Sequence, residues 1–260
     1  KLAAHHSEMS MNPQAFARID ALYQKREELN LSTEELEVLE KYWRGYVKNG
    51  AKLNDDDKKR LAEITSELAV LYTNFGQNVL SDSNDWTLHL TKDEEIAGLP
   101  DFLLDTLKAQ AKERGFDDGY LLTLSRPVLA PFMQFSTRRD LREKAYKAGV
   151  SRGVRGGETD NVDNIKNILK LRKEKATLLG YSDFAEVRLE NTMAKSAENV
   201  NQLLHDVWPR ALERAKEEEA ELLSMAQEMG HNDIIEPWDW RFYSEKLREK
   251  KFNFSEAELK

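Results

Sequence analysis

Apolar residues recur every three or four positions in several long segments of this chain, and this spacing constrains the fold more than any other feature. In the segment between Asn54 and Leu80 the recurring residues are Leu61, Ile64, Leu68, Leu71, Phe75 and Val79. Because an α-helix has about 3.6 residues per turn, residues at this spacing share one face and can be buried together. The segment therefore predicts a long amphipathic helix.

Start and stop signals for helices accompany the periodicity. Ser32 and Glu35 have the spacing of a capping box, and Asn12 followed by Pro13 is typical of a helix N-terminus. Further helices are predicted over about 100–114, 137–152, 160–179, from Ser182, and over 196–229 with a kink at Pro209. Four predicted helices are each followed by a glycine, which indicates where the helix ends. These glycines are Gly50, Gly115, Gly180 and Gly230.

Two short segments are typical of strands instead. Trp86, Leu88 and Leu90 alternate with polar residues, the period-two pattern of a half-buried strand, and 120–124 is a second apolar run. Since isolated strands are marginal, we expect the two to pair. Pro127 and Pro131 are interpreted as a loop. The fold class predicted is all-α, with many helices and a minor two-stranded β element.

Composition excludes several classes of function. The net charge is −8 and basic residues are interleaved with acidic ones, which argues against a nucleic-acid partner. There are no cysteines, so thiolate metal sites and cysteine nucleophiles are excluded. No apolar run reaches the ~20 residues that span a membrane. We expect a cytoplasmic location. Because the chain begins at Lys1 rather than Met, the alternative that a signal peptide has been removed is left open.

Motifs in the last third carry a resemblance to a known family. They are, in order, Asn161-Val162-Asp163-Asn164-Ile165, then LRKEKATLLGY at 171–181, Met193-Ala194-Lys195-Ser196, and PWDWRFYSE at 237–245. In order and spacing they resemble the zinc metallopeptidases of the thimet oligopeptidase and neurolysin family, and within it the bacterial peptidyl-dipeptidases. The closing run 252–260 resembles the segment that leads into the catalytic domain of those enzymes.

The resemblance implies a neurolysin-like helical body with a deep substrate channel and zinc at its floor. In that family two histidines of an H-E-x-x-H motif and a downstream glutamate hold the metal, and a zinc-bound water attacks the peptide. The motif is absent from these 260 residues. We therefore assign no catalytic residue and no metal ligand here. The expectation is a fragment of the channel wall that binds no zinc and is inactive alone, from a parent that uses zinc.

Partners and domains follow from the same resemblance. The implied partners are short peptide substrates, the parent's own catalytic domain and further copies of the fragment, with no nucleic acid and no membrane.

Residues 1–152 are predicted to form an N-terminal helical region with the small β element, and 153–260 a helical region that leads into the absent catalytic zinc domain. The alternative is a free-standing helical protein-interaction module without peptidase activity, and an H-E-x-x-H motif beyond residue 260 of the parent would decide against it.

The aromatic residues of the last motif allow two interpretations. Trp238, Phe242 and Tyr243 have the spacing of one helical face, with Pro237 near its start, which indicates core packing. The family resemblance instead implies that some of these rings line the substrate channel. Trp238, Trp240 and Tyr243 are the candidate channel-lining residues, and the two roles are compatible.

Other candidates for chemistry are weaker. None of the five histidines has a second histidine four positions away, which a helical zinc pair requires; they are His5, His6, His89, His205 and His231. Glu217, Glu218, Glu219 and Glu221 form a carboxylate cluster, which we interpret as a solvated helix face with Arg214 and Lys216 nearby. The glycine-rich run 152–158 is predicted to be an exposed loop that opens easily, and it lacks the phosphate-binding pattern of a P-loop.

Overall fold

The computed structural model describes residues 2–232 and 234–253, so Asp233 and residues 254–260 of the closing run 252–260 lie outside the described residues. Within these ranges the predicted all-α fold with a minor β element is confirmed. The helices are α1 (Leu2–Ser10), α2 (Pro13–Gln24), α3 (Thr33–Lys48), α4 (Asp55–Asp85), α5 (Asp101–Glu113), α6 (Arg126–Phe135), α7 (Arg139–Val150), α8 (Val162–Leu178), α9 (Phe184–Leu189), α10 (Ala197–Glu228) and α11 (Trp240–Phe252). The strands are β1 (Thr87–Leu90) and β2 (Tyr120–Thr123), and a short 3-10 helix covers Asp93–Glu95.

The chain divides into two compact units that are each discontinuous in sequence. The first comprises 1–76 and 161–203, and the second comprises 77–160 and 204–260. The division at residue 152 stays a prediction. In the described ranges no helix combines the length with the apolar composition that crossing a membrane requires.

Helices α2 and α3 of the first unit pack through their aromatic residues. The rings of Tyr23 and Trp43 stack with centroids 3.9 Å apart, and the Trp43 indole N–H donates to the Asp20 carboxylate at 2.7 Å. The predicted capping box begins α3: the Glu35 backbone N–H donates to Ser32 Oγ at 3.3 Å, and the Ser32 backbone N–H donates to the Glu35 carboxylate at 2.9 Å. Local sequence thus sets where this helix starts.

Helix α4 packs on α8 in the same unit, and the predicted apolar stripe accounts for the contact. Ile64 and Leu68 of α4 form a buried cluster with Ile168 and Leu171 of α8. At the edge of this contact the Arg60 guanidinium donates to both Glu174 carboxylate oxygens, at 2.6 and 2.9 Å. The stripe is only partly buried, because its later member Phe75 stays 38% exposed.

The second unit is built on the predicted pair of strands. Strands β1 and β2 are antiparallel, with Thr87 opposite Thr123 and Leu90 opposite Tyr120. The core under this pair comes from the strands and from helices α5, α6 and α7. Its fully buried members include Leu90, Leu103, Leu107, Leu122, Val128, Phe132 and Ala145.

The segment with two prolines is a helix, so the loop predicted there is wrong. Pro127 lies at the start of α6, where the first backbone N–H groups have no intrahelical acceptor, so its missing N–H costs nothing. Pro131 lies inside the helix and gives up one backbone bond. Val128, Phe132 and other residues of α6 are buried in the core, and this burial outweighs the lost bond.

The glycine-rich run that follows α7 is fastened to the end of α4. Asp82 is buried, and its carboxylate accepts hydrogen bonds from the Gly153 backbone N–H at 2.6 Å and from the Thr159 hydroxyl. These bonds, that from Thr159 above all, lower the pKa of Asp82 despite its burial. Arg152 and Arg155 are exposed on this run, and trypsin, which cleaves after basic residues, should cut there first when the run opens. Asp82 therefore opposes the local opening that the glycines favour.

We expect the substitution Asp82→Asn to speed the first trypsin cut at Arg152 or Arg155 at least about fivefold. One carboxylate oxygen would become an amide that cannot accept from Gly153 or Thr159, and a lost buried hydrogen bond is worth ~1 kcal/mol or more of opening free energy. Limited proteolysis with mass spectrometry measures the rate. The control is Asp85→Asn on the exposed end of α4. Equal rates in both variants, or first cleavage inside α4, would contradict this role of Asp82.

Candidate functional site

A turn at 237–239 leads into helix α11 and carries the aromatic residues singled out by the sequence. Asp239, its last residue, is fully buried and is the N-cap of α11. The Tyr243 backbone N–H donates to the Asp239 carbonyl at 3.0 Å, and the Asp239 backbone N–H donates to the Glu236 carbonyl at 2.8 Å. The Glu236 N–H in turn donates to the Asp239 carboxylate at 3.2 Å. Local bonds therefore close the turn around its own carboxylate.

Two arginines of α7 bind that carboxylate. Arg142 is 1% exposed, and its Nη2 donates to Asp239 Oδ1 at 2.8 Å. The same guanidinium donates to the Ser136 carbonyl at 2.7 Å and the Trp238 carbonyl at 3.1 Å. Arg139, which is partly exposed, donates from Nη2 to Asp239 Oδ2 at 2.9 Å. The turn is thus fixed to α7 by side-chain and backbone groups together.

Asp239, Arg139 and Arg142 form a charged cluster in which each ion stabilises the charged form of its partner. Burial raises the pKa of Asp239, but hydrogen bonds from Arg139 and Arg142 outweigh that effect and leave it below its ordinary value. Burial lowers the pKa of Arg142, and the hydrogen bond to Asp239 opposes this shift. An arginine does not lose its proton in a protein. The carboxylate is therefore ionised at neutral pH and serves to position the turn, not to donate a proton.

A second buried carboxylate anchors α11 six residues further along. Glu245 is fully buried, and its Oε2 accepts from Gln134 Nε2 of α6 at 2.8 Å. Arg248 Nη2 lies 3.0 Å from the same oxygen. Helix α11 is consequently held by polar bonds to both α6 and α7.

Trp238, the first of the three candidate channel residues, lies in the turn and is half-buried. Its ring packs against the core beneath the strands and makes an edge contact with Tyr146, with centroids 6.1 Å apart. The cationic groups of Lys147 and Arg139 lie 5.2 and 5.8 Å from the ring centroid. The indole N–H is buried and has no hydrogen-bond partner among the described residues. Such an orphaned donor leaves one hydrogen bond free for a water or a ligand.

Trp240 and Tyr243, the other two candidates, belong to a different cluster. Tyr243 is 5% exposed and packs with Leu222 and Ala226 of α10, and Trp240 packs against the same cluster. Burial, followed by the charge of Asp239, raises the pKa of the Tyr243 phenol. The structure therefore does not bring all three rings against one cluster. Their lining of a channel stays a prediction.

The sequence interpretation placed Trp238 on one helical face with Phe242 and Tyr243, and this is wrong. Helix α11 begins only at Trp240, because Asp239 caps it and Trp238 lies in the preceding turn. Phe242 and Tyr243 do lie together on the buried side of the helix, with ring centroids 5.2 Å apart. The core-packing interpretation therefore holds for these two residues.

Sequence reasoning missed the charged residues that organise this site. Asp239 was part of a quoted motif, but its carboxylate received no role. Arg142 lies three residues before the buried Ala145 on α7, and Glu245 lies three after the buried Phe242 on α11. A charged residue at a position of the apolar face is the signal that could have identified both.

The histidines are dispersed. No group of three or more His, Cys, Asp or Glu that could hold a metal ion occurs within the described residues. His89 Nε2 lies 2.8 Å from the Asp118 carbonyl, and the His231 ring stacks at 6.0 Å on Tyr243. His5 and His205 are exposed, and the side chain of His6 lies outside the described part of the chain.

The carboxylate cluster of α10 lies on an exposed face, as expected. Arg214 pairs with Glu217 at 2.9 Å and with Glu218 at 3.1 Å. Glu221 pairs with Lys251 of α11 at 2.6 Å, a contact that sequence spacing could not predict. The Glu221 pKa is lowered by this lysine. Exposed pairs of this kind add little stability and show no features of an acid-base site.

Comparison with known proteins finds a family match that includes the motifs of the last third. Residues 132–260 match peptidase family M3. Over all 260 residues the chain is 30% identical to dipeptidyl carboxypeptidase from Escherichia coli, of which it covers 38%. It is 32% identical over 234 residues to oligopeptidase A from Salmonella typhimurium, and 36% identical over 222 residues to a probable cytosolic oligopeptidase A from Arabidopsis thaliana. These alignments take in 88% and 82% of the chain but 34% and 31% of the relatives.

We expect Asp239→Asn to lower the free energy of unfolding by about 3 kcal/mol or more, because removing one partner leaves the Arg142 charge buried without compensation. Urea denaturation at neutral pH measures the loss. Asp140→Asn is the matched control, since Asp140 pairs with Arg138 at 2.8 Å at the surface, and its loss should stay below about 1 kcal/mol. Comparable losses in the two variants would argue against a buried positioning role for Asp239.

The stability difference between the wild type and Asp239→Asn should depend on pH. The pKa of Asp239 is lowered in the folded state, so its stabilisation is complete above the unfolded-state pKa of ~3.9 and is lost as pH falls through the lower folded pKa. Urea titrations at several pH values should give a constant difference from neutral pH down to about pH 5, and a shrinking one below about pH 4. A difference that stays constant into strong acid would contradict the assignment.

Proposed function

We propose that this chain, whose residues 132–260 match peptidase family M3, is the non-catalytic helical part of a zinc-dependent peptidyl-dipeptidase or oligopeptidase that hydrolyses short peptides. The observation that carries the proposal is the alignment of every residue of the chain with a dipeptidyl carboxypeptidase. The chain spans about two fifths of the length of that relative. The activity proposed is that of a longer parent protein, in which this segment would form part of the substrate channel.

Zinc enters the proposal only through the parent. The 260 residues contain no H-E-x-x-H motif, and the described histidines are dispersed over α1, β1, α10 and the segment after α10. When bound elsewhere in the parent, zinc would activate the water that attacks the peptide. This chain would bind no zinc itself and would supply walls that admit short peptides and exclude folded proteins.

Trp238, Trp240 and Tyr243 are the residues proposed to face peptide. Trp238 has the strongest support, because its ring is half-exposed, carries an unused N–H donor and lies beside two cations. The exposed part of such an indole can contact an apolar side chain of a peptide, whereas its N–H is buried and would need a local rearrangement to donate to a peptide carbonyl. The buried Asp239 and Arg142 would hold it in place.

The second candidate function is a free-standing helical interaction module, and one surface favours it. Leu204, Val207 and Trp208 of α10 are 58%, 56% and 65% exposed. Exposed apolar residues at helical spacing are typical of a surface that binds another protein. In the proposed parent the occupant would be the catalytic domain, and in the isolated chain a second copy. A cytoplasmic location is part of the proposal, supported by the word cytosolic in the name of the Arabidopsis relative.

The test compares this chain with the longer parent protein. With zinc and a fluorogenic short peptide, we expect chelator-sensitive turnover by the parent and none by the 260-residue chain. Analytical ultracentrifugation of the chain, with the separately expressed remainder of the parent as partner, should show association through α10. The substitution Trp208→Ser should weaken this association, while the matched change Glu219→Ser on the same helix should not.

Two results would overturn the proposal. Chelator-sensitive turnover by the isolated chain at the parent's rate would show that the chemistry lies within these residues. A parent that binds short peptides without hydrolysing them, zinc being present, would favour the interaction module instead.

A further inference from the structure

Three arginines line one cavity of the second unit. Arg114 follows α5, Arg126 begins α6 and Arg152 follows α7, and together they border a cavity of about 400 Å³. Glu113 is the single carboxylate of its lining, so the formal charge of the lining is +2. This cavity is basic in a chain whose net charge is −8.

The arginines are not neutralised by carboxylates within the described residues. Arg114 donates to the Asn84 carbonyl at 3.0 Å, and Arg152 donates to the Gly149 carbonyl at 2.9 Å and to Ser83 Oγ at 3.4 Å. The Arg126 side chain makes no hydrogen bond or ion pair with the described residues. Since a guanidinium carries five N–H donors, each arginine keeps donors for a ligand. Like charges around one cavity repel, and an anion between them would relieve the repulsion.

Neutral donors border the same cavity. The Thr123 hydroxyl lies 3.2 Å from Ser125 Oγ and 3.3 Å from the Gln110 side-chain oxygen. Ser125 is the N-cap of the ten-residue helix α6, and its side chain does not cap the helix. Because Ser125 Oγ accepts from the Thr123 hydroxyl, its own proton has no acceptor among the described residues, and it lies at the end of the helix where the backbone dipole favours negative charge.

We propose that this cavity binds a small divalent oxyanion of the phosphate class, with Arg126 as its principal ligand. Two charges on the ligand match the +2 lining. The planar fork of a guanidinium fits two oxygens of such an ion at once. A monovalent carboxylate would leave one positive charge uncompensated.

The bound ion would join four segments of the second unit. It would connect the end of α4, the end of α5, the start of α6 and the glycine-rich run after α7. A ligand that binds only the folded state stabilises it in proportion to the logarithm of its concentration. Phosphate should therefore raise the thermal midpoint of unfolding in addition to binding.

The test is isothermal titration calorimetry of inorganic phosphate into the purified full protein at neutral pH and constant ionic strength. We expect one saturable site in the wild type, and an affinity reduced at least about tenfold in Arg126→Gln. The phosphate affinity of Arg126→Lys should lie between those of the wild type and Arg126→Gln, because lysine keeps the positive charge but lacks the planar pair of N–H donors. The matched control is Arg210→Gln, which removes an exposed arginine of α10 outside the cavity and should bind like the wild type.

Several outcomes would overturn the proposal. These are no saturable binding by the wild type, unchanged binding by Arg126→Gln, or equal weakening by Arg126→Gln and Arg210→Gln. Acetate that binds as tightly as phosphate would refute the divalent ligand. Circular dichroism and thermal melting without phosphate should be the same for all variants, because the Arg126 side chain makes no hydrogen bond or ion pair with the described residues. Should Arg126→Gln unfold, Arg126→Lys and the phosphate-dependent rise of the thermal midpoint in the wild type decide the question.

Discussion

The buried pairing of Arg142 with Asp239 is the interaction on which the candidate site depends. It joins α7 to a turn almost a hundred residues further along the chain. Removing both charges from water is costly, and their attraction repays this only with the help of further hydrogen bonds to the same two side chains. The Ser136 and Trp238 carbonyls, Arg139 and the Glu236 N–H supply those bonds. Such a network tolerates one arrangement of the turn, and that arrangement presents Trp238 at the surface while α11 turns Phe242 and Tyr243 inward.

Much of the helical fold could be predicted because its signals are local. The capping box at Ser32, the stop at Gly180 with φ of +83° and the long stripe of α4 each depend on residues within a few turns. Helix α6 could not be predicted in the same way. Its prolines oppose a helix locally, and only the burial of Val128 and Phe132 against other elements makes it stable. In α6, tertiary packing overrides the low helix propensity of the prolines, and the spacing of residues along the sequence does not reveal that packing.

The candidate site was accessible from sequence in part. The motif at 237–245 includes the turn of the candidate site. Two of its aromatic residues, Phe242 and Tyr243, are buried, as the packing interpretation predicted. The partners of its carboxylates lie on α6 and α7, about a hundred residues earlier, and no local pattern specifies them. The glycine-rich run is a similar case. Its composition indicates an exposed loop, yet a buried carboxylate from α4 fastens it.

The discontinuity of the second unit has a consequence for the order in which the protein is synthesised. Residues 77–160 emerge from the ribosome with Arg142 among them, and the carboxylate that neutralises Arg142 emerges only after the whole inserted segment 161–203. Until residue 239 is available, burying α7 would strand a positive charge in an apolar core. The nascent strands and α5 can pair early because their contacts are local, whereas α7 must keep its guanidinium in water and its apolar face uncovered. During this interval the nascent chain exposes an apolar face of α7, including Leu141, Ala145 and Ala148, that the finished protein buries.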